Sequence, residues 1–181
     1  MFTYQIDDDI SLKQIMPYMA DDLYALIEKN RAHLEPWFPW AERTKSVDDI
    51  TNFLQSCLEK QSKNEGFEAI ITYQGKMAGV IGCHNWSHKR KIAEIGYWLD
   101  HDMQGKGIMH AAATAMINAF FNEYGMNRIV IRARSHNAPS CNVAKKLGFT
   151  HESTEQDGDC DQNGVFYDYE IYRLLAREWK S

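Results

Sequence analysis

The apolar and polar positions of this chain change period several times, and each change marks an element. Residues 2–6 alternate and predict a short strand, and residues 10–15 predict a second. From Pro17 to about Asn30, Leu23, Leu26 and Ile27 share one helical face, and Asp21 and Asp22 suit the positive end of a helix. The rhythm then breaks. Pro36-Trp37-Phe38-Pro39-Trp40 puts three aromatics and two prolines into five residues, so residues 31–40 read as a rigid loop and not as regular helix. Ser46 to Asp49 reads as an N-cap with a short-armed capping box, followed at helical spacing by Val47, Ile50, Phe53, Leu54, Cys57 and Leu58.

A run of strands comes next. Residues 67–73 and 77–84 flank a Gln74-Gly75-Lys76 turn and predict a hairpin, and residues 92–99 predict a third strand after a charged loop. A glycine loop at 104–109 leads into a helix carrying Met109, Ala112, Ala113, Met116, Ile117 and Phe120, which stops near Gly125. Residues 128–134 are the next strand. Pro139 then suits the first turn of a helix that carries Val143, Ala144 and Leu147 and stops at Gly148. Two final strands are predicted at about 150–156 and 166–174. The acidic stretch between them, residues 157–164, reads as a solvated turn; it lacks the terminal glutamate and flanking helices of a calcium loop. The whole is α+β, a mixed α/β pattern in one domain over residues 1–181, with no repeat or linker.

Composition narrows the function classes. Twenty Lys and Arg against 25 Asp and Glu give a net charge of −5, which is not the basic surface of a nucleic-acid binder. No apolar run approaches the length of a membrane span, and the N-terminus lacks the basic-then-apolar order of a signal peptide. Cys57, Cys83, Cys141 and Cys160 show no metal or disulfide spacing, so free thiols in a reducing cytoplasm are expected. His84 and His88 stand four apart across a strand-end loop, and no metal is expected there.

The chemistry concentrates in two blocks. Gln104-Gly105-Lys106-Gly107-Ile108-Met109 joins a strand to a helix. Its glycines permit unusual backbone angles, and the helix amides that follow favour an anion such as pyrophosphate. A Walker loop would need Lys-Ser/Thr after the second glycine, and a dinucleotide fingerprint would need a third glycine at His110. The second block runs Asn137-Ala138-Pro139-Ser140 to Leu147-Gly148-Phe149. Together with Ala93-Glu94-Ile95-Gly96-Tyr97-Trp98-Leu99, and in this order, the blocks resemble the GNAT N-acetyltransferase superfamily. The likeness is nearest to its Rim-type branch of ribosomal-protein serine and alanine acetyltransferases, and it extends over nearly the whole chain. Met109, where the family usually has Gly or Ala, is a departure, and so is the longer acidic segment between Glu152 and Gly164.

The resemblance implies a central, mostly antiparallel, splayed sheet of about seven strands with about four helices. It implies acetyl-CoA as co-substrate, no metal, and direct transfer to a primary amine, most of all the N-terminal α-amino group of a ribosomal protein. A small amine such as a polyamine or aminoglycoside is the rival acceptor, and a non-catalytic acetyl-CoA sensor is the rival class. The backbone of Gln104, Gly105, Lys106, Gly107, Ile108 and Met109 would hold the pyrophosphate. The strand edge at Trp98 and Leu99 would pair with the pantetheine arm, and a bulge there would free an oxyanion-binding amide. Asn137 would bond the arm, with Asn142 and Lys145 (or Lys146) nearby for the cofactor. Ser140 reads either as donor to the departing sulfur or as a first-turn helix residue. Glu94 and Asp159 both stand as the proton acceptor, with His136 behind them. Trp37 and Trp40 would wall the acceptor pocket, and a homodimer is implied by analogy.

Overall fold

The structure is a computed structural model that describes residues 2–161 and 163–180. Eight strands form one sheet in the order β1-β2-β3-β4-β5-β6-β8-β7. They are β1 (Thr3–Gln5), β2 (Ile10–Gln14), β3 (Phe67–Tyr73), β4 (Lys76–Ser87), β5 (Ile92–Leu99), β6 (Arg128–Arg134), β7 (Thr150–Cys160) and β8 (Phe166–Leu175). Five helices accompany them: α1 (Ala20–Leu34), α2 (Pro39–Arg43), α3 (Val47–Ser62), α4 (Ile108–Asn118) and α5 (Ala138–Lys146). The mixed α/β GNAT-type architecture expected from the sequence is present, with one strand and one helix more than expected.

Two cores sandwich the sheet. Leu23, Ile27, Leu54, Ile70, Val80 and Trp98 lie on the face covered by α1 and α3. Ile95, Ile129, Ile131, Ala112, Met116, Phe120 and Leu147 lie on the face covered by α4 and α5. Each fully buried Leu or Ile contributes roughly 1.5–3 kcal/mol. Ser46 caps α3 with a complete capping box: its hydroxyl accepts from the Asp49 amide at 3.2 Å, and Asp49 accepts from the Ser46 amide at 2.9 Å.

Pairing is antiparallel throughout except between β5 and β6. Those two run parallel and share only three pairs, Ile92 with Arg128, Ala93 with Ile129 and Glu94 with Val130. Beyond Glu94 they part, and the outer backbone edge of β5 at residues 95–99 faces the gap. Against β4 the register of β5 is unbroken from Glu94 to Leu99. The bulge between these strands falls at His84–Ser87, at the opposite end from Trp98, so the expected bulge beside Trp98 is absent.

Two further expectations are corrected. Residues 31–34 continue α1, and Pro39 opens α2 from its first turn, where a missing N–H costs nothing. Pro36 therefore sits between helices and Pro39 within the first turn of α2, and the two do not mark one long loop. Residues 157–160 belong to β7, whose register shifts between Glu155 and Asp159, and Asp157 takes a φ of +48° there. The turn is thus shorter than predicted; Gln162, within the predicted turn, lies outside the described residues. Among the described residues no helix is long and apolar enough to cross a membrane.

Candidate active site

The glycine loop is fixed to α1 before it reaches any ligand. Asp100, 2 % exposed, follows β5 and accepts from Lys29 Nζ at 2.7 Å. Its own amide donates to the Ala78 carbonyl at 2.7 Å, and Asn30 Oδ1 accepts from the His101 amide at 2.9 Å. Burial alone would raise the Asp100 carboxyl, but Lys29, the Asp102 amide and Asn30 outweigh it and hold it below the usual range. Gln104 pairs with His33 Nε2 at 2.9 Å. Burial, and then neighbouring His101, keep the His33 imidazole below its ordinary pKa, so Nε2 can accept from the amide.

Gly105 and Gly107 have φ of +76° and +77°, where a side chain is strained, and nothing stands within 4 Å of a Cβ added at either. Gly107 is the N-cap of α4, and the first helical bond runs from the Ala111 amide to the Gly107 carbonyl at 3.0 Å. The amides of Ile108, Met109 and His110 therefore precede the ladder and face outward. The loop is an open concavity with donors at its floor, the form that suits a phosphate.

A cavity of about 450 Å³ runs from this loop along the splay. Its lining includes Trp37, Trp98, Leu99, Gln104, Gly105, Gly107, Ile108, Met109, Asn137, Ser140 and Asn142, all predicted site residues. Lys146 lines it and Lys145 does not. The Lys106 backbone belongs to the loop, but its ammonium turns away, 3.7 Å from Met103 Sδ and over the Tyr73 ring. Asn137 is the N-cap of α5: its Oδ1 accepts from the Ser140 amide at 3.2 Å, which leaves its Nδ2 for a ligand. The Tyr97 hydroxyl donates to the Ser140 carbonyl at 3.2 Å. Burial pushes the Tyr97 phenol well above its usual range, with the Ser140 side chain pulling the other way.

A second cavity, of about 630 Å³, opens on the side of α2 and α3. Trp37 and Trp40 both line it, and Trp40 packs 6.2 Å from Trp98 and 5.5 Å from Phe38. Glu94 is there, its carboxylate accepting from Asn85 Nδ2 at 2.9 Å. Asp159 is not. It sits on exposed β7 opposite Tyr167, with Oδ1 accepting from the Cys160 amide at 2.8 Å. His136 also lies outside both linings. The lining adds titratable and cationic side chains that sequence reasoning missed as site residues, Glu68, His84, Arg43, Arg132 and Arg134. Among the described residues no cluster of His, Cys, Asp and Glu could hold a metal ion.

The two cavities share Trp37, Phe38, Tyr97, Trp98, Asn137 and Ser140. A phosphate held at α4, an extended arm along β5 and a reactive group at this junction would fit one continuous channel. A second reactant would enter from the other side. The shape suits group transfer between a long phosphorylated donor and a separate acceptor.

Comparison with known proteins agrees with that geometry. Residues 10–150 match the family model described as acetyltransferase (GNAT) domain. The putative ribosomal N-acetyltransferase YdaF of Bacillus subtilis is 34% identical, over 100% of this chain and 99% of its own. The solved structure of RimL, a ribosomal L7/L12 alpha-N-protein acetyltransferase in complex with coenzyme A, superposes with a TM-score of 0.92 at 26% identity, covering 96% of this chain and 98% of that one. The microcin C7 self-immunity acetyltransferase MccE, in complex with acetyl-CoA and AMP, superposes with a TM-score of 0.89 at 30% identity over 94% of each chain. With the family model spanning both the glycine loop and the Asn137–Ser140 block, this chain belongs to the GNAT acetyltransferases.

Proposed function

We propose that this acetyltransferase moves the acetyl group of acetyl-CoA directly onto the N-terminal α-amino group of a protein, of the ribosomal kind. One observation carries the reading: two cavities of different character meet at Tyr97, Trp98, Asn137 and Ser140. RimL and MccE, bound to coenzyme A and acetyl-CoA respectively, support the donor. The names of RimL and YdaF support the acceptor.

Each residue then has a task. The amides after Gly107 hold the pyrophosphate, and Asn137 Nδ2 and the free edge of β5 hold the pantetheine arm. Alignment of two reactants in one channel can supply much of the acceleration. An amide of the unpaired β5 edge faces the developing oxyanion. The departing thiolate has a conjugate acid near pH 8.5, so a single hydroxyl donor suffices, and Ser140 is that donor with Tyr97 beside it. Of the two candidate carboxylates, Glu94 lines the acceptor cavity and Asp159 does not reach the lining.

The acceptor cavity also speaks against a polycation. Asp49 and Glu94 are outnumbered on the same lining by Arg43, Arg132 and Arg134, a mixed surface that suits a peptide better than a polyamine. The test is acetyl-CoA turnover by thiol release with peptides bearing N-terminal Ser and Ala, spermidine and an aminoglycoside. Turnover with a peptide is expected. Turnover with a small amine alone would overturn the acceptor, and binding without turnover on any amine would favour a sensor.

A further inference from the structure

Glu68 is the one charged residue of β3, and its surroundings are built for it. It pairs in register with Gly82 of β4, which pairs with Gly96 of β5, so one row across three strands reads Glu, Gly, Gly. A Cβ on Gly82 would lie 1.8 Å from Glu68 Oε2, so the carboxyl occupies the space that a side chain would fill. His84, two residues along β4 on the same face, leans over Gly96, where a Cβ would lie 2.9 Å from its Nε2. His84 Nδ1 faces Glu68 Oε1 at 3.5 Å. The two glycines thus make room for a carboxyl and an imidazole whose far nitrogen lies above the strand that borders the acceptor cavity. Both side chains line that cavity, with 10 % of Glu68 and 56 % of His84 exposed.

We propose that His84, positioned from behind by Glu68, receives the proton that the acceptor's ammonium must lose before it attacks. This rests on the amine-acetyltransferase reading and adds to it the group that makes the amine nucleophilic. Nε2 takes the proton, the freed lone pair forms the C–N bond to the acetyl carbon, and the C–S bond breaks with its electrons on sulfur. The proton stays on the imidazole–carboxyl pair until it leaves through the open cavity. The arrangement has the logic of a carboxylate that orients an imidazole, with the far nitrogen turned to the substrate.

The neighbouring groups fit. Burial pushes the Glu68 carboxyl up to about 8, against the pull of Lys60 on α3. Burial also keeps His84 below its ordinary range, with Glu94 pulling it up and Lys60 down. Cys57 on α3 and Cys83 on β4 complete the titratable surroundings; burial first, then Glu68, drives both thiols up to about 12, so they stay neutral. Held below its ordinary range, the imidazole is neutral near pH 7.5 and free to accept a proton.

The experiment compares kcat across pH 6.5–9.5 for the unaltered protein, Glu68→Gln and His84→Gln, with an N-terminal Ser peptide and acetyl-CoA. At pH 7.5 a loss of roughly a hundredfold or more is expected for His84→Gln and a smaller one for Glu68→Gln. Acetyl-CoA affinity should be unchanged in both. The deficit should shrink as pH passes the amine's own pKa of roughly 7.7–8.0, because the amine then arrives neutral. A structural role would give a deficit flat with pH, and that result overturns the proposal. So does full activity in either variant. Failure of the underlying function would show instead as no turnover by the unaltered protein. In that case the His84 imidazole is followed by NMR titration in both forms: a titration that Glu68→Gln leaves in place overturns the pairing, and a shifted one supports it.

Discussion

Replacing Gly107 by alanine separates what the backbone costs from what a ligand needs, and Gly148 supplies the control. The two glycines have nearly the same φ, +77° and +81°, and nothing lies within 4 Å of an added Cβ at either. Gly107 opens α4 beside the first cavity, whereas Gly148 follows α5 and lines neither cavity. A non-glycine residue in the left-handed region costs roughly 1–2 kcal/mol. In a chain of this length each kcal/mol moves Tm by about 2–4 °C, so both variants should melt roughly 2–8 °C lower. Only Gly107→Ala places a methyl where phosphate oxygens would meet the helix amides. Its acetyl-CoA affinity should fall at least about tenfold, or ~1.4 kcal/mol, while Gly148→Ala stays within about twofold of the parent. Scanning calorimetry reads the first quantity and titration calorimetry the second. Equal loss of stability with parental affinity in both variants would refute the phosphate assignment of the loop. Equal loss of affinity in both would mean that general loosening, and not the methyl, weakens binding.

Other outcomes follow from the same structure. Ser140→Ala should lower turnover about tenfold to a hundredfold with little change in acetyl-CoA affinity; steady-state kinetics beside calorimetry decides, and a pure affinity defect would make Ser140 a helix residue only. Glu94→Gln removes the charge that pulls the His84 imidazole up and should move the alkaline-rising limb to lower pH, whereas Asp159→Asn should leave it in place, as pH–rate curves of both will show. Ser46→Ala should cost about 1 kcal/mol of stability through the lost cap and leave kcat untouched, by melting and rate measurements. Glu68 has a linkage of its own. Between its ordinary 4.5 and about 8 the folded chain keeps a proton that the unfolded chain has released, so stability falls as pH rises through that window. Glu68→Gln should remove that fall and melt above the parent at pH 8 but not at pH 4, and identical pH slopes for the two proteins would contradict the burial of the charge.

Much of this was visible in the residues because local pattern and tertiary role coincide there. The strand Ile92–Leu99 and the strand Arg128–Arg134 were legible to the residue, since each has a clear period bounded by charge or glycine. Gly105 and Gly107 announced the anion loop because only backbone freedom explains them. Pro36 and Pro39 misled: a proline between helices and a proline in a first turn look alike when contacts are unknown. The end of β7 was read as turn because its residues are nearly all exposed, so no face shows an apolar alternation. Tyr97, Glu68 and His84 were missed for a different reason. Their roles depend on neighbours across the sheet, Gly82 opposite Glu68 and Gly96 under the leaning His84 ring, and no linear spacing encodes that.

The short seam between β5 and β6 has a consequence for how long the protein lasts. Among the described residues, only three parallel pairs, extended by the Asn127 and Arg128 amides on the Lys91 carbonyl, join the five strands β1–β5 to β6, β8 and β7. A ladder so nearly interrupted is where a sheet first opens, and opened strands are what proteases cut. A pantetheine arm laid against residues 95–99 would act as a piece of strand supplied by metabolism and not by the gene. Because such a ligand stabilises in proportion to the logarithm of its concentration, the acetyl donor would set the half-life of its own catalyst as well as its speed.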